Sequence, residues 1–153
     1  MDTYTPPDYN TKVDKIRLVR EASTIERVKI TSSLKIENFI RNIYGDDLTI
    51  YESFYIVLLN NSNTTIGFAR ISQGGITGTL VDVRLVLKYV LDTLAVSVIL
   101  AHNHPSGTLR PSQADKDITK KLKNTLQLLD VTVLDHIILT ETSYFSFADE
   151  NIL

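Results

Sequence analysis

The spacing of apolar residues predicts three helices in this chain. Three segments repeat apolar residues every three or four positions, which places these residues on one face of a helix. The first runs from Ser32 and Ser33 to Gly45, the second follows Asp82, and the third begins at Ser112. We expect their apolar faces to be core. They consist of Ile36, Phe39, Ile40 and Ile43; of Val83, Val86, Leu87, Val90, Leu91 and Leu94; and of Ile118, Leu122, Leu126 and Leu129.

Short runs of β-branched and aromatic residues predict strands between these helices. The clearest are 49–59, 64–72, 96–102 and 131–140, and the turn cluster Asn60–Asn63 joins the first two into a hairpin. Weaker patterns predict short strands near 15–19 and 28–30, a loose arm over 1–10, and an edge segment at Tyr144–Phe147. We therefore predict the α/β class, with helices flanking a mixed β-sheet. Residues 1–45 form an N-terminal arm with one helix and 46–153 the main domain, within one compact unit.

Composition narrows the possible functions. The 153 residues suit one domain, and the net charge of −2 indicates no bulk attraction to nucleic acid. The absence of cysteine excludes disulfides, thiolate zinc ligands, a cysteine nucleophile and the Pro-Cys-x-x-Cys motif of cytidine deaminases. No apolar run is long enough to cross a membrane, and the first residues do not resemble a signal peptide. We therefore expect a cytoplasmic protein without a membrane segment.

A buried strand that ends in two histidines is the candidate chemical centre. The run 96–101 delivers His102 and His104, and alternate strand residues lie on one side, about 6.5 to 7 Å apart. Two imidazoles at that spacing can bind one metal ion. Prolines and a glycine then force a loop, after which Asp115 can return as an oxygen ligand from the first turn of a helix. Two histidines and one carboxylate leave a fourth position open, as in catalytic zinc sites.

Ser112 and Asp115 also fit a second interpretation. Ser-x-x-Asp before a helix is typical of a helix cap, and His-x-His alone is a weak metal signal. When both motifs occur together, separated by a loop rich in proline, serine and glycine, a purely structural role explains them less well than it explains either motif by itself. Capping and metal binding are compatible, because Ser112 can cap the helix while facing the metal pocket.

The complete run resembles a known family. The pattern His102-x-His104, seven residues, Ser112, two residues, Asp115 matches the signature of JAMM (MPN+) metalloproteases. The fuller run from His102 to Asp115, with His-Asn-His-Pro-Ser-Gly at its start, resembles the RadC family, a bacterial branch of that superfamily. Further similarities are Gly75 to Thr79, the run Asp135–Leu139, and Tyr144–Phe147. The similarity covers about two-thirds of the chain, from Glu52 to the end.

This resemblance implies a fold, a cofactor and a reaction. The fold would be a curved mixed sheet of the JAB/MPN type, with cytidine-deaminase-like architecture. His102, His104 and Asp115 would hold one zinc ion, Glu52 would be the general base, and Ser112 would stabilise the oxyanion. Relatives cleave peptide or isopeptide bonds, so a peptide or protein substrate is expected. Glu37 is the weaker match for the glutamate, and Glu52 alone also fits an exposed carboxylate at a strand end.

Several alternatives remain open at this point. A metal-dependent nuclease or repair factor would use the same centre, but no helix-hairpin-helix module of the full-length RadC type is found. A non-catalytic interaction module would have the same fold without enzyme activity. The lysines of the third helix fit a solvated face better than a nucleic-acid contact. His136 is expected to be a core histidine rather than a fourth ligand, with Asp135 a structural partner. The glycine-rich segment 74–79 is expected to border the cleft, as the relatives suggest.

Overall fold

The computed structural model describes residues 20–74 and 80–153 and confirms the mixed α/β class. Within these residues, three α-helices and five strands follow one another in the order α1, β1, β2, α2, β3, α3, β4, β5, with a 3₁₀ turn at Gly45–Thr49. Their bounds are α1 Ser33–Tyr44, β1 Ser53–Leu59, β2 Thr65–Gln73, α2 Val83–Thr93, β3 Ser97–Asn103, α3 Gln113–Gln127, β4 Thr132–Leu139 and β5 Tyr144–Ser146.

The five strands form one mixed sheet in the order β2-β1-β3-β4-β5. The hairpin β1–β2 is antiparallel, β1 also pairs antiparallel with β3, and α3 connects the parallel pair β3 and β4. Strand β5 closes the far edge, as predicted for Tyr144–Phe147. The β3–β4 pair contains a bulge: Val98 pairs with Val133 but Ile99 pairs with Asp135, which leaves Leu134 as the extra residue.

Two cores lie on the two faces of the sheet. One joins α2 and α3 to the sheet, with Val86, Leu100 and Leu122 among its buried members. The other joins α1 to the opposite face, through Ile40 against strand residues such as Val57 and Ile137. Alternate residues of β3 enter alternate cores, so His102 lies on the same face as Leu100, beneath α3. The site is thereby placed between the sheet and the beginning of that helix.

The predicted helix caps are present. Ser32, Asp82 and Ser112 each accept a backbone N–H with their side chains at the start of a helix. Gly45 ends α1 with φ +53°, where its lack of a Cβ relieves strain.

Some sequence predictions were wrong in detail. The first strand begins at Ser53 rather than residue 49, because the 3₁₀ turn extends to Thr49 and Ile50 still has helical dihedral angles. Leu91, Leu94 and Leu129 are exposed, since only the narrower stripe around Val86 and Val90 of α2 and around Leu122 and Leu126 of α3 reaches the core. The strand predicted near 28–30 is reduced to a single bridge between Lys29 and Thr64.

The arm 1–10, the strand at 15–19 and residues 75–79 of the glycine-rich segment lie outside the described residues. The division at residue 45 stays a prediction. Within the described part of the chain, no helix is both long and apolar enough to span a membrane.

Candidate metal centre

The end of β3 brings two histidines together. His102 is the sixth residue of the strand and is 2% exposed, while His104 follows the last strand residue and is partly exposed. Their Nε2 atoms are 2.9 Å apart. The pairing that sequence spacing predicted is therefore present, with one ring anchored in the core and the other at the rim.

Asp115 comes back to these histidines from the first turn of α3. Its Oδ1 lies 3.2 Å from Nε2 of His102, and its Oδ2 lies 3.6 Å from Nε2 of His104. The same carboxylate accepts the backbone N–H of Ser112, while the Ser112 hydroxyl accepts the N–H of Asp115. This is a complete capping box. The cap and the cluster thus coexist, and the cap fixes the orientation of the carboxylate.

The loop between the two motifs orients the His104 ring. Nδ1 of His104 donates to the carbonyl of Thr108 at 2.6 Å, so in the neutral ring Nε2 carries the lone pair that faces the cluster. Gly107 makes this return possible: it lies at φ +82°, and its N–H donates to the His104 carbonyl. The Pro-Ser-Gly stretch therefore has a specific task, which is to bring Thr108 beneath the ring.

The donor set fits a divalent cation. One ligand atom from each of His102, His104 and Asp115 can be chosen so that all three lie within 4.8 Å of one another. At such separations imidazole lone pairs and a carboxylate repel, and a cation among them turns that repulsion into coordination. Two imidazoles and one carboxylate are ligands that zinc accepts, with a fourth position for water or substrate.

The charges of the cluster shift the pKa values of its members. Burial by itself raises the pKa of Asp115, but the close contacts of its carboxylate with the His102 and His104 rings outweigh burial and hold that pKa well below its ordinary value. The pKa of His104 is raised, chiefly by its contact with the Asp115 carboxylate and in smaller part by the charge of Glu52. Asp115 is therefore an anion throughout the physiological pH range, as a metal ligand must be.

Glu52 lines a pocket beside the cluster. The pocket has a volume of about 210 Å³ and combines acidic, imidazole and apolar walls. Glu52 itself is half-buried, immediately before β1. The pocket can accommodate a water molecule and a substrate group together. Its lining residues are Glu52, Phe54, Leu80, Val81, His102, Ala114, Asp115 and Ile118.

The side chain of Asn103, between the two histidines, fixes the backbone on both sides of Glu52. Its Oδ1 accepts the N–H of Ser53 at 2.8 Å, and its Nδ2 donates to the carbonyls of Tyr51 and Leu48 at 2.7 Å each. Asn103 is fully buried. Sequence reasoning missed this residue, because nothing in a His-Asn-His run indicates that the middle side chain reaches a segment fifty residues earlier.

Two other predicted residues have clear positions. Ser112 is exposed, caps α3 and does not line the pocket around Glu52. Glu37 is the worse candidate for a catalytic carboxylate, as expected: it pairs with Arg41 on α1, which packs on the opposite face of the sheet.

The adjacent residues Asp135 and His136 of β4 point to opposite faces, as alternation predicts. His136 is fully buried and contacts Nδ1 of His102 at 2.8 Å on one side and the hydroxyl of Thr119 at 2.5 Å on the other. Burial, together with the neighbouring His102, lowers the pKa of His136 well below its ordinary value. It is therefore a neutral core histidine outside the cluster of His102, His104 and Asp115. Thr119 was not singled out from the sequence, although it lies one helical turn after Asp115.

Comparisons with known proteins identify the family of this chain. A family model described as RadC-like JAB domain matches residues 30–152. A UPF0758 protein of Flavobacterium johnsoniae is 51% identical over 136 residues, which cover 89% of this chain and 58% of that protein. UPF0758 proteins of Saccharophagus degradans and Vibrio cholerae are 36% and 50% identical, over 92% and 64% of this chain and 65% and 62% of their own lengths. The chain thus spans less than two-thirds of these relatives.

Proposed function

The chain belongs to the RadC-like JAB family, and from this premise we propose that it is a zinc-dependent hydrolase of peptide or isopeptide bonds. The JAB superfamily is one of metal-dependent hydrolases. The observation that carries the proposal is the cluster of His102, His104 and Asp115, in which His102 and Asp115 line one pocket with Glu52. Three ligands and a further carboxylate are the parts that metal-assisted hydrolysis needs.

His102, His104 and Asp115 would hold one zinc ion. When bound, the ion supplies Lewis acidity, which lowers the pKa of a nearby water molecule to about 7 and polarises a substrate carbonyl. Zinc is preferred over harder ions because two of the three ligands are imidazoles. The capping box that fixes Asp115 and the Thr108 carbonyl that orients His104 both reduce the reorganisation needed for binding.

Glu52 would act as the general base. It lies in the pocket beside two of the three ligands, where it can accept a proton from the attacking water and pass it to the leaving nitrogen. Ser112, which caps α3 beside Asp115 without lining this pocket, would donate to the developing oxyanion. Its oxygen accepts the N–H of Asp115 and thereby leaves its own hydrogen free. Oxyanion donors of this kind contribute roughly 100- to 1,000-fold to kcat in comparable enzymes.

A peptide or protein is the proposed substrate. The apolar walls of the pocket, with Phe54, Val81 and Ile118, suit a peptide side chain better than a phosphodiester, which requires cationic groups. The described lining residues contain no lysine or arginine.

The proposal is tested by unbiased substrate profiling. Zinc-loaded protein is incubated with a proteome-derived peptide library and with lysine-linked isopeptide conjugates, and the products are identified by mass spectrometry. We expect discrete cleavage that requires zinc. The matched control is Glu52→Gln, which should retain zinc and lose about 100- to 10,000-fold in rate, because an amide cannot take the proton.

Three outcomes would contradict the proposal. Full activity of Glu52→Gln would remove that residue from the mechanism. Zinc-dependent cleavage of single- or double-stranded DNA in a parallel assay, without peptide cleavage, would favour a nuclease. Failure of the wild-type protein to bind zinc at micromolar concentration would favour a non-catalytic module.

A further inference from the structure

A continuous chain of buried hydrogen bonds links the backbone of Asp115 to the ring of His102. The Thr119 hydroxyl is 2.5 Å from the Asp115 carbonyl and 2.5 Å from Nδ1 of His136. Nε2 of His136 in turn lies 2.8 Å from Nδ1 of His102. The three residues that form these hydrogen bonds, Thr119, His136 and His102, are at most 2% exposed.

The chemistry of these groups allows one direction for the hydrogens. A carbonyl can only accept, so the single hydroxyl hydrogen of Thr119 points to Asp115. The Thr119 oxygen must then accept from His136, which places the ring hydrogen of neutral His136 on Nδ1. Nε2 of His136 is therefore an acceptor, and Nδ1 of His102 donates to it. The remaining nitrogen of His102, Nε2, is left with a lone pair that faces Asp115 and His104.

We propose that Thr119 and His136 are positioning residues that fix His102 in the tautomer able to ligate a metal through Nε2. The proposal rests on the metal-binding part of the proposed function. In many metal sites a carboxylate or a backbone carbonyl holds the ligand histidine. A second neutral histidine cannot do this alone, because it can donate as well as accept. The threonine removes that ambiguity by occupying the other nitrogen as an acceptor.

The packing of His136 supports this role. Its ring stacks on Phe147, with centroids 4.7 Å apart and planes at 21°, and it meets the edge of Phe54 at 5.6 Å. These two aromatic rings restrict rotation of the imidazole, so Nδ1 stays beside Thr119 and Nε2 stays beside His102. The threonine lies one helical turn after Asp115 and bonds to its carbonyl. One turn of α3 thus supplies a ligand and also sets the protonation of a second ligand on β3.

The tautomers can be read directly. The chain contains three histidines, so a long-range proton–nitrogen correlation spectrum of the uniformly labelled, tag-free protein has few signals to assign. We expect the Nδ1–H tautomer for His136 and His102 in the zinc-loaded protein, and for His136 also in the metal-free protein. Finding the hydrogen of His136 on Nε2 in the wild-type protein would overturn the proposal.

A matched pair of variants separates positioning from packing. Thr119→Val keeps the shape and removes the hydroxyl, whereas Thr119→Ser keeps the hydroxyl and removes a methyl group. By chelator competition, we expect Thr119→Val to bind zinc about 10- to 100-fold more weakly and Thr119→Ser to stay within about threefold of wild type. In Thr119→Val the His136 signals should also show a mixture of tautomers. Circular dichroism confirms that both variants fold.

Two results would overturn the proposal even if the site binds zinc. One is unchanged zinc affinity with unchanged tautomers in Thr119→Val. The other is equal losses of affinity in the valine and serine variants, which would indicate a packing defect. If the wild-type protein binds no zinc at all, the proposed function fails, and the spectrum of the metal-free protein still decides the direction of the hydrogen bonds.

Discussion

Two consecutive buried polar residues of β4 serve different parts of the molecule. His136 faces α3 and contacts His102 and Thr119. Asp135 faces the other way and accepts three hydrogen bonds, from the Ser146 hydroxyl at 2.6 Å, from the His136 amide at 2.7 Å and from the Ala148 amide at 2.9 Å. The first residue belongs to the candidate site, and the second holds β5 and the turn after it. A buried polar group therefore indicates function only when its partners are known.

The pKa shifts of the two residues show the same contrast. Burial lowers the pKa of His136, so the ring is neutral and can accept from His102. Burial also raises the pKa of Asp135, while the hydrogen bonds from Ser146 and the two amides oppose that shift. Perturbed pKa values alone would have selected both residues as functional candidates. Substitutions on each side should separate zinc affinity from the free energy of unfolding.

The largest effect is expected from His104→Ala, which alters the candidate site. This change removes a proposed metal ligand, so the loss of zinc affinity should exceed the roughly 10- to 100-fold typical of residues that only support a ligand. The metal-free variant should unfold at nearly the same denaturant concentration as wild type, since the ring is at the rim. Elemental analysis after dialysis and urea titration measure the two quantities. Unchanged zinc content would contradict the ligand assignment.

Asp135→Ala tests the opposite face of β4, where Asp135 holds β5 and the turn after it. Loss of this acceptor leaves three donors around β5 without their partner, so the free energy of unfolding should fall by about 3 kcal/mol. Zinc affinity should remain close to that of wild type. Urea denaturation and chelator competition provide the measurements, with Asp149→Ala, an exposed aspartate of the same tail, as control. A large loss of zinc affinity in a folded Asp135→Ala protein would show that the two sides of β4 are coupled.

Asn103→Ala tests whether the segment that carries Glu52 has its own support. Without the amide, the Ser53 N–H and two carbonyls lose their partner, which should cost about 2 kcal/mol in stability and displace Glu52. We expect a reduced rate of hydrolysis with zinc affinity largely retained, because neither histidine bonds to Asn103. The control is Asn124→Ala, at an exposed position of α3. Equal activity of the two variants would remove Asn103 from this role.

The smallest effect is expected from Gly107→Ala. A side chain at φ +82° costs about 1 kcal/mol, and the change alters only the loop that returns Thr108 to His104. Zinc affinity should fall by no more than about fivefold, which corresponds to about 1 kcal/mol. The control is Gly67→Ala in β2, where φ is ordinary and an added Cβ meets only Leu58 at 3.9 Å. A loss as large as that of His104→Ala would mean that the loop is essential to the site.

The sequence could predict the residues of this site that are close together along the chain, but not the distant residues that hold them in position. His102, His104 and Asp115 lie within fourteen consecutive residues, and strand and helix periodicity are enough to place them together. The contact of His136 with His102 depends instead on the register of the parallel β3–β4 pair. Asn103 reaches Leu48 and Tyr51, which requires the complete sheet. Such long-range contacts leave no periodic signal.

The errors in the fold prediction have a related cause. Six apolar residues at helical spacing predicted a wide core face for α2, yet Leu91 and Leu94 are 54% and 81% exposed. Spacing identifies a face but not how much of it a neighbour covers. Leu94 lies in the left-handed cap after the last turn, where the chain already leaves the helix. The first strand was predicted to begin four residues too early, because Thr49, Ile50 and Tyr51 are residue types that favour strands.

The bulge at Leu134 gives β4 an unequal tolerance to deletion. Val133 and Asp135 already belong to opposite faces, so a chain shortened by Leu134 would join them in regular alternation and leave His136 beside Leu100. Removal of a residue after the bulge would instead turn every later side chain to the wrong face, as the twofold repeat of a strand demands. A deletion at Leu134 therefore shortens β4 by one residue before the site, while His136 keeps its orientation.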